Sequence, residues 1–516
     1  MLLQDKLVQI VTNPQLSPKQ KSNYLALEAE ASLPYMPIST EVKAAMNDSI
    51  ICDMFEGHAP FKPRYVLPDY ARYLKQGSEY LELSPAQDLD EALNALTILY
   101  HHVPSVTNIP VYLGQLDEIL MPFSEGMDAE VLYRKLKLFW IMLDRTLPDA
   151  FMHVNIGPTD NLVCRTLLRI DAELKQAAPN LTFMYDPAIT PDELFLLATT
   201  NICQCSKPHI ANYPLHASAF DERGFGIVSC YNALPLAGGA NTLVRLNLKE
   251  VALKATSISD FFDAVLPNYC SLTFELIEAR SAFLHQESHF FDSFLVKEQL
   301  IDESRFAPMF GIYGMAEAVN ILQSLTASGE VKPAKHARYG HETDANQLGY
   351  RISAALDTIV KSTPVAHGYH GRALLHSQGG ISIDKDVTPG VRIPYGTEPN
   401  PIAHIQALAQ HHQYYTAGIS DILTIDETVK SNPQAMFQLC KAALELGFRE
   451  FTANVASNDL MRVTGYMVKR SDIEAFKQCG SRLNTTGLAA EAAVNTGILQ
   501  RQARVIAHEY SPCVFE

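Results

Sequence analysis

No Cys-x-x-Cys pair occurs in this sequence, although it contains nine cysteines: Cys52, Cys164, Cys203, Cys205, Cys230, Cys270, Cys440, Cys479 and Cys513. An odd, scattered set argues against a disulfide framework and a four-cysteine zinc site, and predicts that in a reducing compartment most serve as small buried hydrophobes. Long apolar runs are missing too. Nothing approaches the roughly 20 consecutive apolar residues of a membrane span, and the opening Met1-Leu-Leu-Gln-Asp-Lys-Leu-Val-Gln is broken by polar residues too early for a signal-peptide core. A cytoplasmic location is expected. Positive charge is in short supply, with 41 Lys and Arg against 57 Asp and Glu and a formal net charge of −16. Such a surface repels nucleic acid and anionic membranes, which leaves small molecules and other proteins as expected partners. Also absent are a repeat, a Gly/Ser or charge-rich linker, and a Gly-rich Walker loop.

What is present is a soluble, core-forming composition: 47% hydrophobic and 19% charged residues over 516 positions, enough for several ordinary domains or one large barrel. Residues 1–200 read as mostly helical, with apolar positions at helical spacing from Leu89 to Leu99 and from Leu132 to Leu143. Beyond residue 200, Gly- and Pro-bounded apolar runs such as Phe225 to Ser229 alternate with helical ones such as Gly314 to Leu322, the rhythm of a mixed α/β core. The expected division is a helical part at 1–200, a core with a cysteine loop at 201–430 and a distinct C-terminal region at 431–516. From His367 to Gly396 the chain is dense in Gly and Pro and reads as loop; His367, His370 and His376 there match no strong zinc spacing, so polar surface roles compete with metal binding. In a strand, Cys203 and Cys205 would share one face, yet with His209 they too lack the spacing of common zinc sites, and packing is the expected role.

The last hundred residues are the most legible. Met436, Leu439, Cys440, Ala443 and Leu444 share one helical face, and Gly447 falls where a left-handed terminator belongs. Phe448 to Val455 reads as a strand, Ala456 to Asp459 as a loop, and Ser471-Asp-Ile-Glu474 as a capping box opening a helix near Asp472. Held between them is Arg462-Val463-Thr464-Gly465-Tyr466. A glycine there has two readings. It can be a turn residue with positive φ. It can also be a site for a backbone radical, because a planar Cα conjugated with the amide nitrogen and the carbonyl is crowded by any Cβ, and glycine has none.

The five residues resemble the Arg-Val-(Ser/Thr/Cys)-Gly-Tyr signature of glycyl radical enzymes, the group that includes pyruvate formate-lyase, glycyl-radical diol dehydratases and anaerobic ribonucleotide reductases. Over its whole length the chain resembles the compact glycyl radical proteins labelled YjjI. The resemblance implies an α/β fold, a ten-stranded barrel surrounded by helices with a mostly helical N-terminal part. It implies a radical stored on Gly465, installed by a separate radical S-adenosylmethionine enzyme carrying an iron–sulfur cluster, with no other cofactor bound and an oxygen-sensitive, anaerobic chemistry. A cysteine on a loop inside the barrel then relays the radical to a small polar substrate. Cys230, in Gly226-Ile-Val-Ser-Cys230-Tyr-Asn-Ala-Leu-Pro-Leu-Ala-Gly-Gly239, is the candidate thiyl carrier, and the Arg245 to Ala252 stretch is similar to the one following that cysteine in anaerobic ribonucleotide reductases. Tyr231 stands where pyruvate formate-lyase has a second cysteine, and Asn232 where diol lyases carry a Glu base, so neither of those reactions follows directly. Lys207 to Asn212 faintly resembles the family's segment before the cysteine loop, and Arg392 and His404 are further residues able to meet a polar substrate or to make ordinary ion pairs. A homodimer would suit the family. Rival readings are a catalytically silent barrel that binds a partner or metabolite, and a metal-dependent hydrolase or lyase using His367, His370 or His376.

Overall fold

The structure, a computed structural model, describes the chain apart from residues 1–2, 53, 55, 107, 148, 326–337, 378, 380–383, 385, 420, 464 and 497–516, and apart from the side chains of 494–496. Cys513 and Thr464 lie outside the described residues. The class is α/β, as expected. Ten strands form its centre: β1 (Tyr65–Leu67), β2 (Tyr112–Gln115), β3 (His153–Ile156), β4 (Asn180–Tyr185), β5 (His209–Asn212), β6 (Gly238–Asn247), β7 (Phe306–Tyr313), β8 (Leu374–Ser377), β9 (Ile422–Ile425) and β10 (Glu450–Val455).

Backbone pairing divides them between two sheets. One runs β9-β10-β5-β4-β3-β2, parallel within β2 to β5 and within β9 and β10, and antiparallel where β10 meets β5. The other pairs β6, β7 and β8 in parallel, with β1 and the short strand Ile51–Cys52 antiparallel to β6. A single continuous ten-stranded ladder is not formed among the described residues. All ten residues of β6 and all eight of β7 are buried, the pattern of strands covered on both faces; β7 accordingly runs apolar without alternation, while β6 also buries Asn241, Thr242, Arg245 and Asn247.

Helices pack outside this centre. Ala129–Thr146 is capped by Asp128, whose side chain accepts from the amides of Glu130 and Val131, and it buries Leu132, Leu136, Phe139, Trp140 and Leu143 against the core. Leu89–Tyr100 is capped the same way by Asp88. Both match the helical periodicity in the sequence, although residues 1–200 also supply β1 to β4. No described helix is long and apolar enough to cross a membrane.

Several local expectations change. Cys203 and Cys205 lie on a helix, Asp192–Cys205, not a strand, so two positions apart they diverge in direction; their thiols donate back to the Thr199 and Asn201 carbonyls at 3.5 and 3.4 Å. The Gly- and Pro-rich segment from 367 contains β8. The helix expected near Asp472 spans Arg470–Cys479 and has no side-chain cap, because its cap position is Lys469, which carries no acceptor; Ser471 lies in the first turn and donates to the Asp459 carboxylate (amide 3.0 Å, hydroxyl 2.8 Å). Gly447 does end its helix, at φ 94°, with the Phe448 amide returning to the Ala443 carbonyl at 3.0 Å.

Lys207, at the entry to β5, is fully buried with its ammonium 2.5 Å from Asp171. Replacing it by Met leaves a buried carboxylate without its counter-ion, so Lys207→Met should cost about 3–5 kcal/mol in denaturant unfolding. Lys441→Met, which removes the exposed pair to Asp192 at 2.9 Å, should cost under about 1 kcal/mol. Equal losses would contradict the packing described.

Candidate active site

Between β5 and β6 the chain enters the interior as a finger, a hairpin of Phe225–Val228 and Asn232–Pro235 with Val228 opposite Asn232. Three residues, Ser229, Cys230 and Tyr231, make the tip. Ser229 and Tyr231 both adopt left-handed backbone at φ 51° and 63°, which non-glycine residues do at a cost. The surroundings hold this shape. Asn155 on β3 clasps Ile227 through its side chain, donating to the carbonyl and accepting from the amide at 2.8 Å each. The Tyr231 ring stacks on His209 at 3.6 Å and meets His153 edge-on at 5.5 Å. Below it a buried chain runs from the Ser229 carbonyl to His153 Nδ1 (3.2 Å), from His153 Nε2 to the Thr182 hydroxyl (2.6 Å), and on to His209 Nδ1 (3.0 Å). These three side chains come from the adjacent strands β3, β4 and β5. Burial holds both imidazoles well below the ordinary histidine range, His153 down to about 3, so they act as neutral hydrogen-bonding groups.

The C-terminal segment descends on the finger from the other side. Leu460–Arg462 and Met467–Lys469 pair antiparallel, with Val463, Gly465 and Tyr466 between them. Gly465 is buried. A Cβ built on it would lie 2.5 Å from Cys230 Sγ and closer still to Cys230 Cα and Cβ. Its φ is not positive, so the turn-glycine reading does not explain the residue: any amino acid could adopt this backbone, but only glycine fits the space. Asn180 donates to the Gly465 carbonyl at 3.3 Å. Arg462 is fully buried, bonded through Nε to the Thr452 hydroxyl at 2.8 Å and through Nη2 to Asn180 Oδ1 at 3.4 Å, while Asn454 pairs with its backbone amide and carbonyl at 2.8 Å each. Its guanidinium lies 4.6 Å from the centre of the Tyr231 ring, so one arginine ties the glycine loop to the cysteine finger. Burial brings that guanidinium down to about 9, still charged near neutrality. Tyr466 packs edge-on against Phe151 at 4.9 Å, and the Tyr395 hydroxyl donates to the Val463 carbonyl at 3.2 Å.

Cys230 is buried, and desolvation raises its thiol above the ordinary value, opposed by the Ser229 hydroxyl at 3.9 Å and by the charges of Arg64, Arg392 and Arg462. The neutral thiol that results carries the hydrogen that atom transfer requires. Beside it opens a cavity of about 170 Å³ whose walls include Ser229, Cys230, Tyr466, Tyr24, Arg64 and Asp149. Burial pushes the Asp149 carboxyl up to about 7; one of its oxygens accepts the Phe151 amide at 2.8 Å. Asp149, Arg64 and Tyr24 carried no signal in the sequence, since they stand in no motif and reach the cavity from three distant segments.

Other candidates from the sequence fall elsewhere. Asn232 turns back across the hairpin, its amide donating to the Val228 carbonyl at 3.1 Å. Arg392 and His404 do not line the cavity; His404 pairs with Asp421 at 3.2 Å, and Arg392 donates to the Tyr395 hydroxyl at 3.3 Å. His367 stacks on His285 at 4.3 Å and His370 meets the Tyr369 ring at a tilt, 4.0 Å between centres, beside an outer cleft, while His376 is buried in β8. The described residues hold no group of three or more His, Cys, Asp or Glu placed to bind a metal.

A glycine facing a cysteine at the tip of an interior finger is the arrangement of a glycyl radical enzyme, and solved structures of that class share the fold. Hydroxyproline dehydratase from Clostridioides difficile aligns over 95% of this chain and 88% of its own, with TM-score 0.71 and 13% identity. The B12-independent glycerol dehydratase from Clostridium butyricum aligns over 96% and 88%, with TM-score 0.66 and 12% identity. Residues 16–504 match the glycyl radical enzyme YjjI-like family, and the chain belongs to it. Its relatives include the uncharacterized protein YjjI of Escherichia coli K12, 60% identical over 98% of this chain and 97% of that protein, and an uncharacterized protein of Haemophilus influenzae, 37% identical over 89% of each.

The geometry gives two expectations. Gly465→Ala should destabilise the fold by about 1–3 kcal/mol in denaturant unfolding, since the new methyl overpacks the Cys230 backbone; an unchanged midpoint would contradict the contact. For Asp149, the folded-state carboxyl is raised to about 7 from an ordinary 3.8, so the native state binds the extra proton and stability falls as pH rises through that window. Asp149→Asn should therefore gain in melting temperature over wild type between pH 4 and pH 7 and level off above. A difference independent of pH would count against a neutral Asp149.

Proposed function

We propose that this chain is a glycyl radical catalyst in which Gly465 stores the unpaired electron and Cys230 delivers it to a small polar substrate in the adjoining cavity. The observation that carries the reading is the absence of space for any side chain between Gly465 and Cys230. In this reading the Gly465 hydrogen is removed by a separate radical S-adenosylmethionine enzyme that carries an iron–sulfur cluster. The glycyl radical then takes the thiol hydrogen of Cys230, restoring the glycine Cα–H and leaving a thiyl radical. The thiyl radical takes a hydrogen from a substrate carbon, restoring the thiol and leaving a carbon-centred radical. The chain contributes position and the exclusion of water: neutral imidazoles and a neutral thiol line the transfer, and no charged base is needed for it.

We further read the two sheets as halves of one ten-stranded barrel around the finger. β8 bonds to the segment entering β9 through Ser377 to Gly418 (3.1 Å) and Ala417 to Leu375 (3.0 Å), and β1 lies against β2, which supports closure at both seams.

Oxygen supplies the test. After anaerobic activation, exposure to air should cut wild-type chain near Gly465, while Gly465→Ala should remain intact and Cys230→Ser should still be cut, because it keeps the storage residue. Equal fragmentation of wild type and Gly465→Ala would defeat the assignment.

A further inference from the structure

The cavity wall carries two ionisable acid or base side chains among the described residues, Arg64 and Asp149. Arg64 is buried, with Nη1 committed to the Met54 carbonyl at 2.7 Å and to Glu56 at 2.8 Å. Its guanidinium also lies over the Tyr65 ring, 4.9 Å from the centre. Among the described residues Nε is buried with no hydrogen-bond partner, and the hydrogen bonds that the guanidinium makes all come from Nη1. Nε and Nη2 form one edge with two parallel N–H groups, the geometry that fits both oxygens of a carboxylate. A buried donor left empty costs about 1–3 kcal/mol; Arg245 and Arg470 also keep an Nε with no hydrogen-bond partner among the described residues, but only Arg64 of the three lines the cavity, where a ligand can meet its guanidinium. Asp149 reaches the same cavity with one oxygen on the Phe151 amide and the other without a partner among the described residues. Cys230 lines the same cavity.

We propose that the substrate is a small hydroxycarboxylate, its acid group on the Nε–Nη2 edge of Arg64 and its hydroxyl against the free oxygen of Asp149. This rests on the reading of the cavity as the substrate site. Size agrees: a cavity of about 150 Å³ admits a benzene ring, and about 170 Å³ here admits a molecule of that order. Charge agrees as well, since a carboxyl that burial raises to about 7 can remain protonated beside a second, anionic one. The arrangement also offers an acid and base that Asn232, facing the hairpin, does not.

The test uses the full-length protein without activation, titrated calorimetrically at neutral pH with glycerate and 3-hydroxybutyrate, with their neutral counterparts glycerol and butane-1,3-diol, and with butyrate. At least one hydroxycarboxylate should bind about 10-fold or more tightly than its diol. Arg64→Gln should abolish that preference. Because this change also loosens Glu56, Arg64→Lys is measured beside it: a variant that melts like wild type yet loses most of the preference isolates the fork geometry from the charge. Asp149→Asn should weaken 3-hydroxybutyrate and leave butyrate unchanged. Diols binding as tightly as the acids, no acid binding at all, or Arg64→Gln retaining the preference would each overturn the proposal. None of these readouts needs a radical, so their failure is separable from failure of the glycyl radical assignment.

Discussion

One packing constraint governs the site: the Cα of position 465 lies against the side chain and backbone of Cys230 with no volume left between them. Hydrogen-atom transfer is short-ranged and needs no ionisation, so contact is the requirement and charge is secondary. Everything near the contact serves to hold it. Arg462 and Asn180 fix the loop from one side, Asn155 and the His153–Thr182–His209 chain fix the finger from the other, and Tyr231 is shared by both through its ring. The left-handed backbone on either side of Cys230 is tolerated because these partners over-determine it.

The electrostatics follow from burial. Desolvation keeps His153 and His209 neutral, raises the Cys230 thiol and draws Asp149 toward neutrality, each by disfavouring the charged form. The interior is therefore polar but sparsely charged. That is a suitable setting for a radical, which has little use for strong fields and much to lose from water. Arg64 differs from the other arginines that keep a buried donor without a hydrogen-bond partner among the described residues, Arg245, Arg462 and Arg470, in lining the cavity.

The sequence made the Arg462–Tyr466 segment legible because the signature is local: five consecutive residues between a strand and a helix whose patterns are strong. Cys230 was picked out by its Gly- and Pro-bounded run together with the family resemblance. The cavity wall was not legible, since Tyr24, Arg64, Asp149 and Thr485 meet only in three dimensions and no spacing along the chain marks them. Local chemistry also misled in places. Ser471 has the form of a helix cap, yet the helix begins at Arg470 and Ser471 lies in its first turn, where the Asp459 carboxylate accepts from its amide and hydroxyl. Cys203 and Cys205 stand two apart in a segment that apolar content alone assigns to either helix or strand, and the tertiary packing of helix Asp192–Cys205 decides it. Gly465 required the structure in a different way: its identity is set by a neighbour 235 positions earlier in sequence numbering, not by its own φ.

The coupling of Gly465 to Cys230 is open to a direct measurement. A thiol exchanges its hydrogen with solvent, so if the two residues pass a hydrogen atom back and forth, deuterium from D2O must reach the glycine Cα. In the activated wild type, the splitting that the Cα hydrogen imposes on the electron paramagnetic resonance signal should collapse in D2O, while in activated Cys230→Ser it should persist. A wild-type splitting that survives in D2O, or one lost equally in Cys230→Ser, would contradict the account.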